Sequence, residues 1–242
     1  MSRKLRISIV SILVLFGAGY FAYPYLEIAR LWYGVVGVDV SHYQGDIDWQ
    51  KLAKSDVRFA YIKATEGGDY IDPKFKDNWK QAKAAGLPVG GYHFFTRCKS
   101  GLEQAKNFIA QLPFDNDALP PVIDIEKMEP CPTGTTNADP AIEISAMLDE
   151  IEISRGCRPI LYVTPEFDLT YLRGKFTKEI FWVRSIMMPP LLRRDTWVFW
   201  QFHNAGSRQG ITAPVDLNVF RGIANDFAVF RANHACTGKS VP

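Results

Sequence analysis

Between residues 35 and 164 the chain alternates short β-branched runs with longer segments of helical period, and that alternation limits the fold more than any other feature. Strands separated by helices pair in parallel through right-handed crossovers. The apolar runs 35–41, 58–65, 88–95, 120–126 and 159–164 read as five strands. Asp48 is placed to cap a short helix running through Leu52. Asp72 reads as the N-cap of a helix with Pro73 in its first turn, Phe75, Trp79 and Ala82 on one face, and Gly86 at its end. Ser100 and Glu103 form a capping-box pattern for a helix to about Gln111. Asp139-Pro140 opens another, with Ile144, Leu148 and Ile151 on one face and Gly156 closing it.

After Thr164 the helices thin out. Segments 180–185, 197–203 and 215–220 read as three further strands, and 225–232 as a last short helix. Eight strands, with helices concentrated in the first part, predict a single closed α/β barrel of TIM-like type with a degenerate second half, over residues 31–242. A chain of 242 residues with 47% hydrophobic and 22% charged residues is long enough and apolar enough for one such barrel.

Residues 1–30 have a different composition. Arg3, Lys4 and Arg6 precede a run without charge from Ile7 to Leu26, which Glu27 and Arg30 end. About 20 apolar residues suffice to cross a bilayer as a helix. Tyr20, Phe21, Tyr23 and Tyr25 sit where interfacial aromatics are found, which points to an uncleaved anchor; a cleaved signal is the alternative. Either way the basic flank stays cytoplasmic and the barrel is expected outside the cytoplasmic membrane. With the three leading basic residues set aside, the remainder is close to neutral, so no nucleic-acid surface is expected.

The chemistry gathers in Pro120-Pro121-Val122-Ile123-Asp124-Ile125-Glu126. Side chains on a strand alternate, so Asp124 and Glu126 share one face and Ile123 and Ile125 the other. Two neighbouring carboxyls in a low-dielectric cleft push one pKa up, and an acid beside a carboxylate is the working pair of a glycosidase. Barrel chemistry collects at the C-terminal ends of the strands. Asp39, Glu66, His93, Tyr162, Trp182 and Gln201 fall at such ends, and Asp216 opens the last strand segment. His93 is expected as a hydrogen-bonding group in the cleft, since no paired-His spacing supports a metal. Tyr162 and Trp182 are either sugar-stacking surfaces or barrel core. No phosphate-binding glycine loop or G-x-S-x-G motif occurs, and no cofactor or metal is expected.

Four cysteines outside the cytoplasm suggest disulfides. Cys98 follows the third strand and Cys131 the fourth, which places both on one rim. Cys157 precedes the fifth strand and Cys236 lies in the tail, on the opposite side. The pairs Cys98–Cys131 and Cys157–Cys236 follow.

Six segments in order, Gly37-Val38-Asp39-Val40-Ser41-His42-Tyr43-Gln44-Gly45, Ile62-Lys63-Ala64-Thr65-Glu66-Gly67, Gly91-Tyr92-His93-Phe94, Ile123-Asp124-Ile125-Glu126, Trp200-Gln201 and Val215-Asp216-Leu217-Asn218, resemble glycoside hydrolase family 25, the Chalaropsis-type lysozymes. The resemblance spans roughly 36–232. It implies a (β/α)5(β)3 barrel and hydrolysis of the β-1,4 bond between N-acetylmuramic acid and N-acetylglucosamine. Peptidoglycan strands would then be the partner of a monomeric enzyme, with the membrane engaged through the N-terminal segment. Glu126 corresponds to the general acid. Asp124 would orient the substrate acetamide or stabilise positive charge at the anomeric carbon, with Asp39 and Asp216 completing an acidic cleft. Three places depart from the family pattern: Tyr162-Val163-Thr164-Pro165, Ile186, and Trp200-Gln201-Phe202. All three touch the rim and bear on subsite preference. Had a carboxylate been missing, a catalytically weak glycan-binding or scaffold protein would have been the better reading.

Overall fold

The computed structural model describes residues 27–126, 131, 139–186 and 188–238. Strand β1 (Val36–Val40) opens the barrel. β2 (Val57–Glu66), β4 (Val89–Phe94), β5 (Val122–Ile125), β6 (Ile160–Val163), β7 (Phe181–Arg184) and β8 (Trp197–Gly206) follow in parallel. β9 (Val215–Phe220) runs antiparallel to both β8 and β1 and so closes the ring. The result is a mixed α/β barrel of eight strands, with a two-residue strand β3 (Tyr70–Ile71) folded back on the end of β2. That ribbon has no apolar alternation of its own, and the sequence reading passes over it.

Helices follow the first five barrel strands: α2 (Trp49–Ala53), α3 (Phe75–Ala84), α4 (Gly101–Gln111), α5 (Pro140–Arg155) and the single turn α6 (Pro165–Phe167). Asp48, the Ser100/Glu103 capping box and Asp139 cap α2, α4 and α5 as expected, and Gly156 ends α5 in the left-handed region at φ 66°. Asp72 is the exception. Its carboxylate accepts from the backbone N–H groups of His42 (3.0 Å) and Lys74 (2.9 Å) and lies 2.9 Å from His42 Nδ1. It is drawn toward the loop after β1, and α3 starts two residues later than the capping pattern predicts.

Aromatic side chains fill the barrel interior. Phe59, Tyr61, Tyr162, Trp182, Phe199 and Phe220 point inward, with Phe59 and Phe199 ring centroids 5.2 Å apart and Tyr61 and Trp182 5.0 Å apart. The last helix, α7 (Ala224–Asn233), adds Phe227 and Phe230 to this column, 5.2 Å and 5.4 Å from Phe220. Room for the rings comes from glycine on the next strand. Gly37 stands opposite Phe59 and Gly90 opposite Tyr61, and a Cβ at either position would lie 2.3 Å from the facing ring.

The outer faces of β7 to β9 receive no helix of their own from the second half. A short N-terminal helix, α1 (Ala29–Trp32), covers part of this wall. Trp32 packs against Trp200 at 6.4 Å and Tyr33 meets Trp197 edge-on at 5.8 Å. An ion cluster fastens it: Arg208 pairs with Glu27 (2.7 Å) and Asp56 (3.0 Å), and Arg30 with Asp56 (2.9 Å). α1 therefore straddles the 30/31 boundary drawn from the apolar run, because Glu27 and Arg30 end that run by pairing with the barrel. Residues 1–26, most of the expected anchor or signal segment, lie outside the described residues. Among the described residues no helix is long and apolar enough to cross a membrane.

Both disulfides form as paired in the sequence reading. Cys98–Cys131 ties the loops after β4 and β5 together on the rim. Cys157–Cys236 pins the tail beyond α7 to the start of β6. With sequence separations of 33 and 79 residues, loop-closure entropy gives each about 4 kcal/mol.

The glycine–ring pairs give a direct test. Gly90→Ala forces a methyl group into the Tyr61 ring, and overpacking of this kind costs about 1–3 kcal/mol. The melting temperature should fall by roughly 2–10 °C. An unchanged value would mean that the ring column gives way freely.

Candidate active site

The period of two on each strand that sends aromatics to the barrel centre brings polar groups to the mouth. Above Phe59 and Tyr61 on β2 comes Lys63, and above Gly90 on β4 come Tyr92 and Phe94. Above Val122 on β5 come Asp124 and Glu126, and above Trp182 on β7 comes Arg184. Asp39 ends the same face of β1. Asp216 reaches this rim because β9 runs the other way, so its first residues lie where the parallel strands end; its cross-strand partner is Asp39. These residues, with Tyr43, Tyr162, Gln201 and Asn204, line a cleft of about 360 Å³.

Asp39 is the hub. Its Oδ2 accepts from Asn218 Nδ2 at 2.7 Å and from Gln201 Nε2 at 3.2 Å. The two amides are oriented from behind: Trp182 Nε1 donates to Asn218 Oδ1 at 2.9 Å, and the Tyr162 hydroxyl donates to Gln201 Oε1 at 2.9 Å. With each amide oxygen engaged, only the NH2 side can face Asp39. Burial raises the Asp39 pKa, while the hydrogen bonds from Asn218, Gln201 and Asp216 oppose that rise. Asp216 is pushed up to about 9 by burial first and then by the charge of Asp39. The arrangement is a carboxylate at Asp39 and a neutral acid at Asp216 that donates its proton to it.

Asp124 and Glu126 form the second pair. Asp124 lies well above the ordinary carboxyl range, through burial and then through Glu126 and Asp39. Its Oδ1 is buried and has no hydrogen-bond partner among the described residues. Glu126 is also raised, chiefly by burial, with Arg184 pulling it down and Asp39 pushing it up. Its carboxyl is partly open to the cleft, and its Oε2 stands 3.8 Å from Arg184 Nη1. A buried acceptor without a donor is costly unless a ligand supplies one. This pair can offer a proton at the cleft surface and an empty acceptor just beneath it.

Five expected site residues stand elsewhere or are occupied. His93 is fully buried on the opposite face of β4 from Tyr92 and Phe94, against Phe108 of α4. It lies 2.7 Å from Thr65 Oγ1 and 3.2 Å from Gln104 Oε1, and burial drops its pKa to about 3. It is a neutral packing residue outside the cleft. Glu66 is at the rim, where a register shift between Lys63 and Thr65 pairs it with Phe94 on the inward side, but it is occupied, accepting from Lys63 Nζ at 2.6 Å. Trp182 and Tyr162, 2% and 5% exposed, present no open ring face to a sugar; their polar tips hold Asn218 and Gln201. Gln201 lines the cleft with its amide committed to Asp39. An exposed aromatic that lines the cleft at the rim is Tyr43, stacked on His42 at 4.1 Å.

Arg184 and Asn218, with Tyr92 and Lys63, belong to the site without having been singled out in the sequence reading; Asn218 is buried behind Asp39 and the other three line the cleft. The first two were within reach of the period-two argument, lying two residues beyond Trp182 and Asp216.

The family model for glycosyl hydrolases family 25 matches residues 38–211. The uncharacterized protein YegX of Escherichia coli K12 is 36% identical over 205 residues, covering 82% of this chain and 74% of that protein. Lysozyme M1 of Streptomyces globisporus is 34% identical over 206 residues, covering 79% of this chain and 69% of the relative. The solved structure of a family 25 glycosyl hydrolase from Bacillus anthracis superposes with a TM-score of 0.73 at 37% identity, over 84% of this chain and 94% of that one.

The raised Asp216 sets a stability trend. Its pKa is 3.8 by default and about 9 when folded. The folded state therefore keeps a proton that the unfolded chain releases, and stability is lost as pH rises between those values. Asp216→Asn retains an N–H donor for Asp39 and cannot ionise. The fall in melting temperature from pH 4 to 9 should be shallower in this variant than in the parent; parallel curves would place the proton elsewhere.

Proposed function

The chain belongs to glycosyl hydrolase family 25, and on that premise we propose that it is a muramidase, cleaving the β-1,4 bond between N-acetylmuramic acid and N-acetylglucosamine in peptidoglycan. One observation carries the assignment of roles. Glu126, a raised acid open to the cleft, stands beside Asp124, whose buried oxygen lacks a donor. Glu126 is the general acid that protonates the glycosidic oxygen as the bond to the muramyl anomeric carbon breaks. Asp124 accepts the N–H of the 2-acetamido group. That contact turns the acetamide carbonyl oxygen toward the anomeric carbon, where it closes on the carbon as the leaving oxygen departs.

As the acetamide nitrogen gains positive charge, Asp124 becomes a better acceptor and its own ionisation is favoured. Glu126, now a carboxylate, takes a proton from the water that opens the cyclic intermediate and is thereby reset. Asp39 and Asp216 hold one shared negative charge beneath the muramyl ring, where positive charge develops. Tyr43 offers a ring face to a sugar at the rim.

Peptidoglycan lies outside the cytoplasmic membrane, and two disulfides suit an oxidising compartment. The apolar segment before Glu27 serves as the tether in this reading, with a monomeric barrel working on strands within its reach.

Glu126→Gln should lower turnover of purified peptidoglycan by about 10³-fold while the melting temperature and circular dichroism stay as in the parent; near-normal turnover would sink the acid assignment. Freshly formed reducing ends, followed by NMR before mutarotation, should be β. An α product would exclude the acetamide route and the role given to Asp124.

A further inference from the structure

Arg184 is the cleft cation that this mechanism leaves unused. It ends β7 on the inward face and its side chain is 34% exposed. Its nearest acid oxygen is Glu126 Oε2 at 3.8 Å, beyond hydrogen-bond range, and among the described residues its guanidinium donates no hydrogen bond. Other arginines of the barrel are committed. Arg193 forks onto Asp168, Arg208 onto Glu27 and Asp56, and Arg158 onto Asp149, Glu152 and Glu179. Lys63, the other cation lining the cleft, is bonded to Glu66 and lies over the Phe94 ring at 5.0 Å.

A guanidinium that faces a cleft with one long ion pair and no hydrogen bond of its own among the described residues matches a planar anion presented in two-point geometry. It also works against the acid beside it, because a nearby positive charge favours release of the Glu126 proton. A substrate anion bound to Arg184 removes that conflict by cancelling the charge when the bond is in place. On the glycan itself, hydroxyl and acetamide groups are neutral. The ionisable group of the polymer is the lactyl carboxylate on O3 of the muramyl sugar, next to the C2 acetamide assigned to Asp124. It is free only where the stem peptide has been removed; elsewhere it is an amide, and the nearest carboxylates belong to the peptide.

We propose that Arg184 is a specificity-determining residue that binds the free lactyl carboxylate of the muramyl residue at the scissile bond, so that peptide-free glycan strands are the preferred substrate. The proposal rests on the muramidase reading. It also places an amidase-class reaction, hydrolysis of the lactyl–peptide amide, immediately upstream of this enzyme.

Three substrates test it: amidase-stripped strands, the same strands with the lactyl carboxylates capped as methylamides, and peptide-bearing strands. Each is measured for kcat/KM with the parent and Arg184→Met, and for calorimetric affinity in the Glu126→Gln background with and without Arg184→Met. The parent should favour stripped over capped strands by about tenfold, the worth of one charge-assisted pair. Arg184→Met should close the gap by losing activity and affinity on stripped strands alone. Equal losses on stripped and capped strands would mean that Arg184 acts through Glu126 or the fold, and would overturn the proposal. An Arg184-dependent preference for peptide-bearing strands would assign the carboxylate to the stem peptide and overturn it as well. Cleavage without any carboxylate preference removes this inference and leaves the muramidase. Carboxylate-selective binding without cleavage by the parent does the reverse.

Discussion

Four carboxyl groups crowd the mouth of one barrel, and a single negative charge at Asp39 makes this tolerable. Asp39 is the carboxylate with two oriented amide donors and a neighbouring acid proton. Its charge, with burial, pushes the other three upward, for the same reason that two close acids do not both ionise readily in a low-dielectric site. In the proposed mechanism, the proton of Glu126 is thus held in part by a residue on another strand. Catalytic acidity here belongs to the cluster, and coupled groups titrate together.

The support for Asp39 reaches into the core. Trp182 and Tyr162 belong to the aromatic column and also aim the two amides, so packing quality at the barrel centre and charge placement at its mouth are one property. The glycines at 37 and 90 enter the same chain of dependence, since the rings they accommodate set the height of the column. Asp124 is left with a bare oxygen just where every other buried acceptor of the cluster has been supplied. This contrast between a fully satisfied Asp39 and an unsatisfied neighbour is what the proposed role of Asp124 as acceptor of a substrate N–H rests on.

Much of this was legible in the sequence. The alternation of strand and helix up to Thr164, and its loss afterwards, carried the barrel and its closure. The two-residue spacing of Asp124 and Glu126 placed both in the cleft without any knowledge of neighbours. His93 shows where such reasoning stops. Its position near a strand end was plain, but its face depends on which residue of Gly90-Gly91-Tyr92-His93 points inward, and Tyr61 packing over Gly90 decides that. Glu66 is turned to the inward side by a local shift in strand register and is taken up there by Lys63, neither of which leaves a mark in composition. Trp182 and Tyr162 were open between core and sugar surface, and their burial resolves them as supports. Helix α1 was hidden by its position at the edge of an apolar run, where Trp32 and Tyr33 look like a continuation of the aromatics before them.

The place where α1 joins the barrel has a mechanical consequence. The chain arrives at a side wall, through ion pairs to Arg208 and Asp56 and a tryptophan contact with β8, and not at the rim. Tension along the chain at Glu27 would load that wall in shear. From there it would spread around a closed hoop of strands whose hydrogen bonds share the strain. The carboxyls sit at the ends of strands of this same hoop, at the mouth and not on the loaded outer wall. With the tether proposed for the segment before Glu27, a hydrolase mounted in this way takes up tension through its side wall while its cleft opens at the rim.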